Sequence, residues 1–183
     1  MGRGDSALKA LHQAVVLDSM NANSYVLLAD GLGTLRRYKE AIEVLRNAPG
    51  NRNGLQPEVL GDMGVAYYKL GDLKGARASC EGGVEEIYDI RLCLALTYEK
   101  LGRHGDADTM LAKIRAQYGD AGAVGYSEFY AQRGDTPQAL DWLEMALRQR
   151  NPDLRFVKTD ALFDPLRKEP RFQAIERALK FPD

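Results

Sequence analysis

One alanine, repeated at near-constant spacing, constrains this chain more than any other feature. It stands at Ala7, Ala41, Ala76, Ala107 and Ala139, with separations of 34, 35, 31 and 32 residues. Periods of this size belong to arrays of supersecondary units, each too small to bury its own apolar face. The chain must therefore stack copies of one short motif rather than wrap a single central core.

Other positions keep step with the alanine. Twelve residues before it stand the small residues Ala29, Gly64, Ala95 and Ser127, and nine before it stand Leu32, Tyr67, Tyr98 and Tyr130. Five before it stand Gly71, Gly102 and Gly134, with Arg36 breaking the series. Four after it come Leu11, Leu45, Cys80, Leu111 and Leu143. Small residues on two helices let the backbones approach, a tyrosine or leucine covers the contact, and glycine supplies a turn conformation that other residues adopt only with strain.

The most regular copy, LGDMGVAYYKLGDLKGA over residues 60–76, carries Gly64, Tyr67, Gly71 and Ala76. On these residues the chain resembles the tetratricopeptide repeat (TPR) family, whose unit is a helix-turn-helix of about 34 residues. The resemblance implies an all-α fold, a right-handed helical-repeat solenoid (a TPR superhelix). It would hold about four full repeats, an N-terminal half repeat and C-terminal capping helices. The expected divisions are residues 1–21 for the half repeat, 22–56, 57–87, 88–119 and 120–151 for the four repeats, and 152–183 for the cap. The third repeat departs most, with Arg91 at a position usually large and apolar.

Residues 6–18 place Leu8, Leu11, Ala14, Val15 and Leu17 at helical spacing and read as the second helix of a repeat without its first. An apolar face there is left without its own cover, so the chain is expected to be the C-terminal part of a longer protein, or to meet a partner or a second copy of itself at that end. The peptide Gly2-Arg3-Gly4-Asp5-Ser6 looks like a cell-attachment motif, but it runs straight into this helix. Pro57 suits a helix start, and Thr136 before Pro137 reads as an N-cap. After Pro152, residues 154–162 predict a short helix, and Phe172, Ile175 and Leu179 form one stripe of a last helix. The ending FDPLRKEPRFQAIERAL is similar to the tails of TPR regions in bacterial signalling and regulatory proteins, those fused to adenylate cyclase or winged-helix regulator domains among them. That likeness implies an alternative role as the regulatory C-terminal domain of such a protein.

Chemistry finds little support. Lys and Arg number 25 against 26 Asp and Glu, a net charge of −1, so no global basic field attracts nucleic acid or an anionic membrane. No apolar run approaches the ~20 residues of a membrane span, and no signal peptide precedes the first helix. The expected location is cytoplasmic, or periplasmic if the chain belongs to a larger anchored protein. His12 and His104 lie in separate units, without a nucleophile or carboxylate at catalytic spacing. There is no phosphate loop, dinucleotide fingerprint or metal-ligand pattern, so no catalytic residue, cofactor or metal is expected. Cys80 and Cys93 read as buried thiols, with a disulfide or redox pair as the alternative. Trp142 and the tyrosines recur at core spacing and read as packing.

Function must then come from a surface. In a stacked array the first helix of each pair lines a concave side where partner segments dock. The first-helix residues that the core pattern leaves over are Asp30, Thr34, Glu58, Asp62, Val65, Tyr68, Lys69, Asp89, Leu92, Leu96, Glu99, Lys100, Glu128 and Gln132. Acids outnumber lysines along this stripe, around an apolar middle of Val65, Tyr68, Leu92 and Leu96. The expected partner is a protein or peptide segment, basic or amphipathic, held by a scaffold or adaptor module. Some TPR grooves grip chaperone tails through asparagine and lysine; Leu27, Asp62 and Cys93 stand in those places here, which disfavours that ligand.

Overall fold

The computed structural model describes residues 3–50 and 56–181. Ten α-helices are found among them and no strand: α1 (Arg3–Leu17), α2 (Ala22–Thr34), α3 (Tyr38–Arg46), α4 (Pro57–Leu70), α5 (Leu73–Glu81), α6 (Tyr88–Lys100), α7 (His104–Tyr118), α8 (Ala123–Arg133), α9 (Thr136–Gln149) and α10 (Pro170–Leu179). The all-α repeat fold expected from the sequence is what forms, with consecutive helices packed in pairs. The chain divides into two compact units, Met1–Thr97 and Tyr98–Asp183.

Four pairs, α2 with α3, α4 with α5, α6 with α7 and α8 with α9, turn at the position five residues before the anchor alanine. Gly71, Gly102 and Gly134 take φ of 87°, 75° and 87° there, the left-handed region open to glycine at little cost. Arg36, the residue that breaks the glycine series, takes the same conformation at φ 58°. The next residue starts the second helix in one of two ways. Asp72 and Asp135 cap it, accepting from the amides of Gly75 and Gln138 at 2.9 and 3.2 Å. Arg37 and Arg103 instead reach forward to acids in the first turn, Glu40 and Asp106, at 2.7 Å each. Asp135 rather than Thr136 is thus the cap of α9, because the left-handed glycine brings the following side chain over the open amides; Thr136 and Pro137 fall inside the first turn.

In the first unit, Leu8 of α1 joins Leu28, Leu32, Ile42, Leu45 and Val59 in one apolar cluster. The anchor alanines of the four full repeats are at most 2% exposed. Ala7, the fifth, is exposed, as are Val16, Leu17 and Met20 at the end of α1 and beyond it. Gly64 of α4 lies where α5 and α6 converge, and a methyl group on it would fall on the sulfurs of both Cys80 and Cys93. Those cysteines are wholly buried, as expected of thiols at apolar positions, but they are paired: their Cα atoms lie 6.0 Å apart and they form a disulfide. This corrects the reading as separate thiols. The repeat offsets describe contacts within a helix pair, whereas this one joins α5 to the helix that follows.

In the second unit, Ser127 of α8 donates to the carbonyl of Ala139 in α9 at 2.7 Å. Tyr126 and Trp142 meet edge to face at 4.9 Å, which puts both in packing roles. The segment expected as a short helix over 154–162 is instead two 3₁₀ turns, Pro152–Phe156 and Ala161–Leu166. Asn151 and Asp160 start them by accepting from Asp153 and Leu162 amides, and Pro165 keeps the second from continuing as α-helix. Their Leu154, Phe163 and Leu166, with Val157 between them and Phe172 and Ile175 of α10, bury against Val124, Leu140 and Leu143 of α8 and α9. Arg171 of α10 holds Asp141 and Glu144 of α9 at 2.7 Å each.

Candidate functional site

The first helix of each pair is buried on two sides, and this decides which residues of the expected stripe reach solvent. In the first unit Asp30 and Asp89 are exposed, and Asp62, Val65 and Lys69 are half-buried. The side chain of Glu58 lies outside the described residues. Thr34 turns its hydroxyl back onto the carbonyl of Gly31 at 2.8 Å, a bond within its own helix. Tyr68 and Leu92 are 8% exposed and Leu96 is closed off at 0%. The apolar middle is therefore largely core, and only Val65 of the four expected residues keeps substantial solvent contact. Helical spacing assigned these three to the open side because it counted one buried face per helix.

Packing relates the helices that carry these acids. α2 and α4 pack together, and Gly61 of α4 lies against Asp89, where an added Cβ would sit 3.0 Å from the Asp89 Cβ. Asp62 is the next residue along α4. Asp30, Asp62 and Asp89 thus lie on the three first helices of the first unit.

The second unit puts its share of the stripe to other uses. Glu99 at the end of α6 keeps only 10% of its side chain exposed and accepts from Arg133 at 2.5 Å and from His104 at 2.9 Å. Arg133 also holds Asp108 at 2.7 Å and lies over the Phe129 ring at 4.5 Å. Burial pushes the Glu99 carboxyl up, and the hydrogen bonds and charges of Arg133 and His104 outweigh this, holding it below the ordinary carboxylate value. Glu99 is thus a strut between α6, α7 and α8. Gln132 donates to the carbonyl of Leu162 at 2.6 Å, so the C-terminal segment already occupies its end of α8. Lys100 is exposed and Glu128 half-buried.

Spacing alone missed Arg133, Asp108 and His104 as a network. One signal was present: Arg133 stands six residues before its anchor, where the other three repeats have Leu35, Leu70 and Leu101. A charged residue replacing a recurring leucine asks for a partner. Among the described residues, no group of His, Cys, Asp and Glu is arranged to hold a metal ion, and no helix is long and apolar enough to cross a membrane.

Compared with known proteins, residues 92–153 match the family model for the tetratricopeptide repeat. The crystal structure of YrrB, described as a TPR protein with an unusual peptide-binding site, is similar over 95% of this chain and 84% of its own, at 17% identity and a TM-score of 0.48. No curated protein matches the chain.

Proposed function

We propose, from the premise that the chain carries tetratricopeptide repeats, that it is a protein-interaction module whose first unit docks a basic or amphipathic segment of another protein. The observation that carries this reading is that α2, α4 and α6 each carry an acid that reaches solvent. Asp30 and Asp89 are exposed and Asp62 half-buried, beside Lys69 as the one lysine of the stripe in that unit. Val65, about one turn along α4 from Asp62, is half-buried and offers an apolar contact. Like charges on one unit raise the encounter rate of an oppositely charged segment and select against acidic ones.

The test is a titration of a fluorescein-labelled, lysine- and leucine-rich amphipathic peptide, followed by anisotropy, against the parent and an Asp30→Lys, Asp62→Lys, Asp89→Lys variant of unchanged helical circular dichroism. Saturable binding that weakens by at least about tenfold in the variant, and with added salt, supports the reading. Equal binding by both proteins removes these acids from recognition.

A further inference from the structure

The net charge of −1 conceals an asymmetry. Residues 148–183 contain 9 Lys and Arg against 6 Asp and Glu, whereas residues 1–147 contain 16 against 20. The C-terminal end is thus net basic on a chain that is otherwise net acidic. Part of this charge is absorbed locally: Arg171 is held by Asp141 and Glu144, and Arg167 by Asp164 and Glu176.

Three of the other basic residues meet at one place. Lys158, Gln173, Glu176, Arg177, Lys180 and Phe181 line a cleft of about 440 Å³ between α10 and the turn that follows the first 3₁₀ segment. Three of the six carry positive charge. The single acid, Glu176, accepts from Arg167 at 3.0 Å, an arginine it shares with Asp164, so the cations outnumber the acid along the cleft. Phe181 supplies an apolar wall, with the Lys158 ammonium 6.0 Å from its ring centre.

We propose that this cleft binds an acidic peptide segment, carboxylates against Arg177 and Lys180 and an apolar or aromatic side chain against Phe181. The cleft admits one or two side chains, whereas a nucleic-acid or membrane surface is met by an extended basic stripe; tight phosphate-backbone binding rests on about 6–10 contacts, not three. Arginine adds planar two-point pairing with a carboxylate, which a diffuse basic patch of lysines lacks. The site is independent of the acids on the first unit and has the opposite charge preference. A module with both would hold two partners of opposite character, or two segments of one partner with alternating charge.

The test uses the full chain and fluorescein-labelled hexaglutamate, read by anisotropy at low ionic strength, with labelled hexalysine as the sign control and phosphatidylserine vesicles as the membrane arm. Hexaglutamate is expected to saturate the parent. The Arg177→Glu, Lys180→Glu variant should weaken its binding by at least about tenfold and Phe181→Ala by a smaller factor, with helical circular dichroism unchanged. Should the double reversal perturb folding, Lys180→Gln supplies the milder step and is expected to weaken binding severalfold. No binding of hexaglutamate, equal binding by parent and variants, or binding of the vesicles alone would each overturn the proposal. Loss of the amphipathic basic peptide's binding in the Asp30, Asp62 and Asp89 variant leaves this result untouched, so the two sites fail separately.

Discussion

The hydroxyl of Ser127 donates to the main-chain carbonyl of Ala139 at 2.7 Å across the fourth helix pair. These are the two positions, small residue and anchor alanine, that repeat along the chain. In the second repeat the corresponding Gly64 also lies against Ala76: a Cβ there would lie 3.3 Å from the Ala76 carbonyl oxygen. The contact is therefore one of backbone with backbone, and the serine adds a hydrogen bond to it.

Ser127→Ala should cost about 1 kcal/mol, the net value of a buried hydrogen bond whose acceptor is already in a helix. Ser127→Leu should cost more, about 1–3 kcal/mol, because it pushes α8 off α9. Urea denaturation followed by circular dichroism distinguishes the two. Equal losses would mean that the carbonyl bond contributes nothing beyond volume.

At the turns, Gly71→Ala should lower stability by about 1 kcal/mol, since alanine must adopt φ near 87°. Arg36→Gly should raise it by about 0.5–1 kcal/mol, because the arginine already bears that strain at φ 58°. Opposite shifts in thermal midpoint are the expected result; a loss in both would show that the Arg36 side chain contributes more than its backbone costs.

Glu99 has a carboxyl held below its ordinary value in the folded chain. A depressed folded value means more protons on the unfolded state, so the stabilisation is complete above the unfolded value of about 4.5 and fades as pH falls through the folded one. Glu99→Gln should accordingly be less stable than the parent at neutral pH, and the gap should close in acid below that value. A gap that stays constant with pH would assign the loss to packing.

The disulfide between Cys80 and Cys93 closes a loop with a sequence separation of 13, which should contribute about 3 kcal/mol by restricting the unfolded chain. Thiol titration of the non-reduced, unfolded protein should find no reactive cysteine, and dithiothreitol should shift the urea midpoint downward. Two titrating thiols would show that the pair is reduced. Gly64→Ala should be destabilising in either redox state, because the added methyl meets both sulfurs.

The helix pairs could be read from the sequence because their closest contacts depend on the absence of side chains: alanine, glycine or serine at fixed offsets leaves an unmistakable mark. Gly71, Gly102 and Gly134 marked three turns for the same reason, and Arg36 concealed the fourth behind a residue with no left-handed preference. The open surface was harder. Tyr68 and Leu96 were assigned to solvent from the contacts within one pair, but their helices also pack between successive pairs, a relation that offsets from a single anchor do not contain. Glu99 illustrates a second limit: its partner Arg133 is 34 residues away, and charge pairing between repeats depends on side-chain reach as well as position.

The hydrogen bond from Gln132 to Leu162 ties the first helix of the last repeat to the chain's own C-terminal segment. A tethered ligand acts at an effective concentration of order millimolar for short connections. An outside segment that needed the Gln132 amide would therefore have to displace a group the chain itself supplies at that local concentration.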